Sequence, residues 1–177
     1  MGKKGYNREE FDGRERMKMS VESVKQYLKQ WGKDTAVMDF PVSSATVDLA
    51  AEALGVIPAR IAKTLSFEDP EGCILIVAAG DARIDNPKFK AKFGRKARML
   101  SPDQVLELTG HPVGGVCPFD VDPHKVKVYT DVSLQRFNTV FPACGSGNSA
   151  VELSCEELTQ CSRSLEWIDV CKNWQDA

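Results

Sequence analysis

The stretch GCILIVAAG, residues 72–80, constrains the fold more than any other part of the chain. It is an almost continuous apolar run of strand length, far shorter than the roughly 18 residues that a membrane span requires. A strand that alternates apolar and polar residues keeps one face in water, whereas a continuous apolar strand is covered on both faces. The run therefore predicts a central strand packed between other layers of the fold.

Helix signals occur on both sides of this strand. Ser20 is expected to cap a first helix that ends at Gly32, with residues 1–19 as a lead-in to it. Further helices are expected in the segments ATVDLAAEALG, DNPKFKAKFG and SPDQVLELTG and in the segment after Ser154.

Strand signals alternate with these helices, in AVMDF, KVKVYTD, TVFPACG and AVELS. IPARIAKTLSFED is expected to run from a turn of helix into a strand. SLEWIDVCK fits a strand or a short helix. The 177 residues suffice for one domain with its own core. This mixed order predicts a single α/β or α+β domain over residues 20–177, with a mixed central sheet flanked by helices.

Bulk composition limits the classes of function. The chain has no apolar run of about 18 residues, and its charged start lacks the apolar core of a secretory signal. We therefore expect a cytoplasmic protein without a membrane span, whose six cysteines are reduced and mostly buried. A net charge of −2 argues against general binding to DNA or RNA unless positive charge is concentrated locally.

The segment TGHPVGGVCPF, residues 109–119, concentrates three glycines, two prolines, a histidine and a cysteine. Gly110 fits the end of the preceding helix, whereas Gly114 and Gly115, followed by Pro118, favour a tight turn. Such a turn exposes backbone N–H groups, which can bind an oxyanion or a phosphate. On spacing alone, a binding loop and an ordinary connection both remain open.

A second glycine-containing stretch, GSGNSA at residues 145–150, formally matches the dinucleotide fingerprint G-x-G-x-x-A. That fingerprint needs a helix after the loop, and here a strand is expected. A Rossmann site is therefore not predicted, while a second loop beside a ligand stays open.

Histidine and cysteine offer two other chemistries. His111, Cys117, His124 and Cys144 lack the paired spacing of zinc ligands, so no metal is expected. Cys117 and His111 share one loop and could form a nucleophile and its base. The sequence identifies no third group that would orient the histidine.

The segment KFKAKFGRKAR, residues 88–98, carries six basic residues among eleven. Charge runs are commonly solvated helix faces, but six unrelieved positive charges in an acidic protein indicate contact with a polyanion. The candidates for an RNA contact are Lys88, Lys90, Lys92, Arg95, Lys96 and Arg98.

Five segments, in this order, resemble the YbaK/prolyl-tRNA synthetase-associated editing domain family over about residues 35–160. They are SSATVDLAAEALGV, RIAKTLSF, VAAGDARID, TGHPVGGVCPF and FPACGSGNSAVELS. Members of this family are aminoacyl-tRNA deacylases, which act in trans or as domains within a synthetase. They hydrolyse the ester that joins a wrong amino acid to the 3′-terminal adenosine of a tRNA. The resemblance implies a compact fold with a mixed, barrel-like sheet and flanking helices.

The resemblance also implies roles for individual residues. Lys63, which otherwise reads as a lysine whose stem packs against apolar neighbours, matches the family's essential lysine. The implied catalytic set is Lys63 with the G-x-x-x-P loop, namely Gly114, Gly115, Val116, Cys117 and Pro118. The implied substrate-binding set is Ser44, Thr46, His111, Gly145, Ser146, Gly147 and Asn148.

Two of these assignments carry alternatives, and one position departs from the family pattern. Thr46 could be a plain helix N-cap, and His111 could serve only to pack its loop. The family pattern has glycine where Asp120 stands, which puts the geometry at the loop's exit in question, although aspartate also tolerates turn conformations.

We therefore expect a cofactor-free trans-editing deacylase that removes a small amino acid such as Cys, Ala or Ser from mischarged tRNA. The N–H groups near Gly115, Val116 and Cys117 would stabilise the developing oxyanion. The expected partner is the acceptor end of a tRNA, with tRNA-Pro and prolyl-tRNA synthetase as candidates. A non-catalytic module that binds tRNA ends or a synthetase, and a thiol hydrolase using Cys117 and His111, are the alternatives.

Overall fold

The computed structural model describes residues 13–41 and 46–175. Within these ranges, the helices are α1 (Gly13–Leu28), α2 (Val47–Leu54), α3 (Asn86–Phe93), α4 (Pro102–Thr109) and α5 (Cys155–Ser162). The strands are β1 (Met38–Asp39), β2 (Ile61–Asp69), β3 (Gly72–Ala79), β4 (Arg83–Ile84), β5 (Val126–Asp131), β6 (Thr139–Pro142), β7 (Ser149–Ala150), β8 (Leu153–Ser154), β9 (Trp167–Ile168) and β10 (Cys171–Lys172). Short 3-10 turns, among them Pro58–Arg60 and Val132–Arg136, connect several of these elements.

A six-stranded sheet in the order β8-β6-β2-β3-β5-β9 curls into half of a barrel. Strand β3 pairs antiparallel with β2 and parallel with β5, so the sheet is mixed. The apolar run forms β3, and its residues from Cys73 to Ala79 are at most 1% exposed. The predicted central strand, covered on both faces, and the predicted mixed α/β single domain are confirmed.

Local capping chemistry sets the helix boundaries where the sequence predicts them. Reciprocal capping boxes form between Ser101 and Gln104 and between Ser154 and Glu157. Glycines with left-handed backbone end α2, α3 and α4. All six cysteines are free thiols, and five of them are buried. No helix in the described ranges is both long and apolar enough to cross a bilayer.

The first helix differs from its prediction. It begins at Gly13, so Ser20 lies inside α1 rather than capping it. The Ser20 hydroxyl lies 2.5 Å from Nδ1 of His111, which is remote in sequence, and this tertiary contact explains a buried serine within a helix. The predicted limits of the domain, residues 20–177 after a lead-in over 1–19, stay a prediction.

The expected single strand in AVELS is also wrong. Ser149–Ala150 pairs with β1, whereas Leu153–Ser154 pairs with β6, so the segment divides between two sheets. In SLEWIDVCK, the expected strand or short helix is a pair of two-residue strands, β9 beside β5 and β10 beside β4.

Candidate active site

A cleft of about 350 Å³ opens between α2, the first half of β2 and the two glycine-containing loops. We call it the Lys63 cleft. Val47, Ala50, Leu54, Ile61 and Phe141 give it an apolar wall. Among the described residues that line the cleft, Lys63 is the only one with an ionisable side chain. A single charge in apolar surroundings interacts more strongly with a ligand than it would in water.

Five of the predicted site residues line this cleft although they come from four separate parts of the chain. They are Thr46, Lys63, Gly114, Val116 and Ser146. Ser44 lies outside the described residues. The other predicted residues of the two loops are not among those that line the cleft, namely Gly115, Cys117, Pro118, Gly145, Gly147 and Asn148.

Lys63 projects from β2, where it pairs with Ala78 of β3. Its Nζ donates hydrogen bonds to the carbonyl oxygens of Gly80, at 3.2 Å, and of Ala82. Burial lowers the pKa of Lys63 below its ordinary value of 10.5, and the negative charge of Asp81 acts in the opposite direction. An ammonium has three N–H donors, and the two carbonyls occupy two of them. The third donor is not used by either carbonyl.

The G-x-x-x-P loop is a tight turn, as its glycines predict. Gly114 has a left-handed φ of 91°, and the Gly115 N–H donates to the Pro112 carbonyl at 3.0 Å. The expectation that Gly115 supplies an oxyanion donor is therefore wrong, because its N–H closes the turn. Within the described part of the chain, the N–H groups of Val116 and Cys117 donate to no protein acceptor. The Gly114 N–H likewise donates to no protein acceptor in the described ranges. Gly114 and Val116 line the cleft and Cys117 does not, so the donors that this loop offers to the cleft are those of Gly114 and Val116.

The second loop is organised by serine and asparagine side chains. Ser146 Oγ lies 2.8 Å from Oδ1 of Asn148 and 2.8 Å from Oγ of Ser149. The Asn148 Nδ2 donates to the Phe40 carbonyl at 3.0 Å, which ties the loop to the segment after β1. Asn148 thus shapes the loop, while Ser146 and Ser149 line the cleft. Sequence reasoning missed Ser149, since only the pairing of β7 with β1 brings it there.

His111 and Cys117 lie away from the cleft. The His111 side chain is 2% exposed, with Nε2 2.7 Å from the Phe119 carbonyl oxygen. A carbonyl only accepts, so Nε2 carries the proton and Nδ1 accepts from Ser20. This arrangement favours the packing role that the sequence left open for His111.

Cys117 is fully buried, and burial raises the pKa of its thiol to about 12. Its Sγ lies 3.6 Å from Nε2 of His111, whose proton is directed at Phe119 instead. A protonated, enclosed thiol is a poor nucleophile. The geometry therefore weighs against the thiol-hydrolase alternative.

Asp120, at the position where the family pattern has glycine, has a left-handed backbone. Its φ of 54° is left-handed, the conformation for which glycine is usually selected, and aspartate adopts it more readily than most residues. Its carboxylate accepts a hydrogen bond from the Ser23 hydroxyl of α1.

Residues 42–161 match the family model of the aminoacyl-tRNA editing domain. The chain belongs to this family. The uncharacterized protein YwhH of Bacillus subtilis (strain 168) is 58% identical over 158 residues, which are 89% of this chain and 100% of YwhH. The proline–tRNA ligase of Thermotoga sp. (strain RQ2) is 33% identical over 93 residues, which are 52% of this chain and 16% of the ligase. The chain thus corresponds to a small part of that enzyme.

The fold of this editing domain also matches a solved structure described as a "putative trans-editing enzyme for prolyl tRNA synthetase". The two chains are 28% identical and superpose with a TM-score of 0.78, over 86% of this chain and 97% of the other. The family predicted from five sequence segments is confirmed, and tRNA editing is the class of function that the family supports.

The basic run of this editing domain is only half as positive as its sequence indicates. Three of its residues are paired: Lys88 with Asp169 at 2.9 Å, Lys92 with Glu166, and Arg95 with Asp69. The prediction of six unrelieved charges is wrong, because these carboxylates come from distant parts of the chain. The exposed residues without an ion-pair partner in the described ranges are Lys90, Lys96 and Arg98.

The end of the basic run leads to the cleft. The Arg98 carbonyl accepts from the Glu68 N–H at 2.8 Å, and the Leu100 N–H donates to the Ser66 carbonyl at 3.3 Å. Residues 98–100 therefore follow the edge of β2, and both Met99 and Leu100 line the cleft.

No group of three or more His, Cys, Asp or Glu side chains that could hold a metal occurs among the described residues.

Proposed function

We propose that this editing domain hydrolyses the ester bond of mischarged aminoacyl-tRNA, acting in trans on a small amino acid such as Cys, Ala or Ser. One observation carries the proposal. The single ionisable side chain of the described cleft, Lys63, faces the same space as the two glycine-containing loops. Hydrolysis of an activated ester needs a fixed charge and aimed donors more than it needs a covalent nucleophile.

The proposed chemistry divides between the lysine and the loop. The Lys63 ammonium, with one donor free, binds the ester carbonyl or the ribose–phosphate of the terminal adenosine as a compact point charge. The N–H groups of Gly114 and Val116, the two residues of this loop that line the cleft, stabilise the oxyanion that forms when water adds to the carbonyl carbon. A well-aimed donor of this kind contributes about 10²–10³ in rate.

The attacking water needs an acceptor for its proton. None of the described residues lining the cleft is a carboxylate or an imidazole. The ribose hydroxyl next to the ester lies within reach of that water in any aminoacyl adenosine, so we assign the orientation of the water to the substrate. The ester C–O bond then breaks, and the ribose oxygen takes the proton that the water gives up.

The size of the cleft favours a small aminoacyl group. Its volume of about 350 Å³ is near the low end of ligand pockets, which span about 300–1,000 Å³. The terminal adenosine shares this space with the amino acid. The free charges of Lys96 and Arg98 lie on the segment that reaches the rim, where they would meet the phosphates of the single-stranded tRNA end.

The proposed partners follow from this substrate. The match to part of a proline–tRNA ligase favours tRNA-Pro, with prolyl-tRNA synthetase as the enzyme whose errors are corrected. Such a reaction belongs in the cytoplasm, where aminoacyl-tRNA is used.

Deacylation of Cys-, Ala-, Ser- and Pro-charged tRNA-Pro tests the proposal. We expect turnover of one mischarged species by the parent protein, little on Pro-tRNA-Pro, and none by Lys63→Ala. Lys127→Ala is the matched control, since it removes a partly exposed lysine that pairs with Asp69, at the far end of β2, and with Glu71. Lys63→Ala turning over substrate at the parent rate would overturn the role of the lysine. Binding of the charged tRNA without any turnover would instead indicate the non-catalytic module.

A further inference from the structure

The two carbonyl oxygens that receive the Lys63 ammonium belong to one short turn, residues 80–82, between β3 and β4. The turn closes on itself through a hydrogen bond from the Ala82 N–H to the Ala79 carbonyl at 3.0 Å. Gly80 is pressed against the neighbouring 3-10 turn, where an added Cβ would lie 2.1 Å from the Pro58 carbonyl oxygen. The position of Lys63 therefore depends on where this turn is held.

Arg136 holds the residue at the centre of the turn. Its two terminal nitrogens bind the Asp81 carboxylate in a bidentate pair, NH1 to Oδ2 at 2.9 Å and NH2 to Oδ1 at 2.5 Å. This geometry fixes a carboxylate in orientation as well as in distance.

Arg136 is itself fixed by the C-terminal segment and its own 3-10 turn. Its Nε donates to the Ser133 carbonyl at 2.9 Å, and NH1 also donates to the Trp174 carbonyl at 3.2 Å. The guanidinium lies over the rings of Phe137, 4.9 Å from the centroid, and Trp174, 5.2 Å from the centroid. Trp174 lies beyond residue 161, where the match to the family model ends.

We propose that Asp81 and Arg136 are positioning residues, which hold the carbonyls of Gly80 and Ala82 so that the Lys63 ammonium keeps one donor directed at the cleft. The segment around Trp174 completes this clamp. The inference rests on the proposed function only for the role of Lys63 in hydrolysis. The geometry of the clamp stands apart from it.

The alternative is that Asp81 and Arg136 form an ordinary surface ion pair that does not affect the position of Lys63. Their side chains are 23% and 21% exposed. The two interpretations differ in whether the Asp81–Arg136 pair affects the pKa and the surroundings of Lys63. Apart from its burial, the groups that act on its charge are Cys171 of β10, Asp81 of the turn and Arg83 of β4. Asp81→Asn removes a negative charge that favours the ammonium and also weakens the grip of Arg136. Arg136→Lys keeps the positive charge but cannot form the bidentate pair.

Titration of Lys63 in protein labelled with [¹³Cε]lysine separates the two interpretations, with the resonance assigned by its loss in Lys63→Arg. We expect the Lys63 pKa to fall further in Asp81→Asn, and its ¹³Cε resonance to move in Arg136→Lys. The control is Asp69→Asn, which breaks another Asp–Arg pair, at the opposite end of β2. That variant should lose thermal stability while leaving the Lys63 titration unchanged.

Single-turnover deacylation of the responsive tRNA is measured on the same proteins. A reacting group displaced by about 1 Å loses on the order of 10²-fold in rate, so we expect a loss of about ten- to a hundredfold in both clamp variants. Lys63 titrations that superimpose on the parent's in both variants, with rates within about twofold, would overturn the clamp. A change confined to Asp81→Asn would overturn the role of Arg136. Absence of deacylation by the parent would refute the proposed function, and the titration would still decide the clamp.

Discussion

Gly115 and Gly145 lie back to back, so that a Cβ added to Gly115 would be 2.5 Å from the Gly145 carbonyl oxygen. Gly145, with a left-handed φ of 95°, is backed in turn by α1, where an added Cβ would be 2.6 Å from Ser20 Oγ. The two loops of the cleft therefore touch through bare backbone. This contact sets the distance between Val116 on one loop and Ser146 on the other.

Gly115→Ala is expected to separate the two loops. Gly115 is not among the left-handed glycines, so its substitution strains the contact and not its own backbone. Overpacking of this kind costs about 1–3 kcal/mol, and we expect deacylation to fall at least about tenfold, because the donors move relative to the ester. Urea unfolding and single-turnover rates measure both effects.

Gly32→Ala is the control for a general loss of stability. Gly32 has a φ of 67° and no atom within 4 Å of its virtual Cβ, so the substitution costs only backbone strain, about 1–2 kcal/mol. Its deacylation rate should stay at the parent level. Equal rates for Gly115→Ala and Gly32→Ala would mean that the contact between the loops does not organise the site.

Site residues within short, recognisable sequence segments could be predicted, whereas groups brought to the site only by the tertiary fold could not. Lys63, Gly114 and Ser146 were found because the segments around them carry recognisable patterns, and they meet in one cleft. The carbonyls that seat Lys63 have no sequence signal, since any residue supplies a carbonyl and only the β2–β3 register brings this turn beside the lysine.

The fold shows the same division between local and remote determinants. Capping boxes and helix-ending glycines are local, and they fix four helices close to their predicted ends. The start of α1 differs from its prediction because Ser20 has the residue type of a cap but contacts His111, 91 positions away. The charge of the basic run differs from its prediction for the same reason, since the carboxylates that pair with Lys88 and Lys92 come from the C-terminal segment.

Lys63→Met should raise stability at neutral pH while abolishing deacylation. Burial lowers the pKa of Lys63 in the folded chain, so the folded state binds its proton less tightly than the unfolded state does. The charged lysine therefore weakens the fold at every pH below its folded pKa. That cost disappears as the pH rises towards 10.5, the ordinary value.

Thermal unfolding of the parent protein and of Lys63→Met at several pH values measures this cost to stability. We expect a gain of about 0.5–2 kcal/mol at pH 7, the usual size for a site held in a functional but unfavourable state, and a smaller gain at alkaline pH. A lower melting temperature for Lys63→Met at pH 7 would show that the hydrogen bonds to the two carbonyls outweigh the burial of the charge.

Cys117→Ser should retain deacylation within about threefold, because the thiol is not in the cleft and its raised pKa keeps it protonated. Native protein should also resist alkylation at Cys117, which is fully buried. Mass mapping after iodoacetamide treatment, compared with the partly exposed Cys155, checks the second point. Loss of activity in a folded Cys117→Ser protein would restore the thiol-hydrolase alternative.

The basic run offers an internal comparison between paired and unpaired charge. The double substitution Lys96→Ala with Arg98→Ala removes two exposed charges beside the rim, whereas Lys88→Ala with Lys92→Ala removes two that are neutralised by Asp169 and Glu166. The binding constant K falls as salt rises, and each phosphate that the protein no longer neutralises makes the slope of log K against log salt less steep by about 0.7 for a single strand.

We therefore expect Lys96→Ala with Arg98→Ala to weaken binding of a tRNA acceptor end. The slope of log K against log salt should become less steep by about 1.4, because two phosphates are then left without a cationic partner. The second pair should change the slope little, since its ammonium groups already have carboxylate partners. Fluorescence titrations at several salt concentrations measure both. Equal losses from the two pairs would mean that the ion pairs open on binding, and no loss from either would place the RNA on another face. Met99 and Leu100, which follow Arg98 in the chain, line the cleft. A loss of binding confined to the substitutions of Lys96 and Arg98 would therefore link their exposed charge to the cleft.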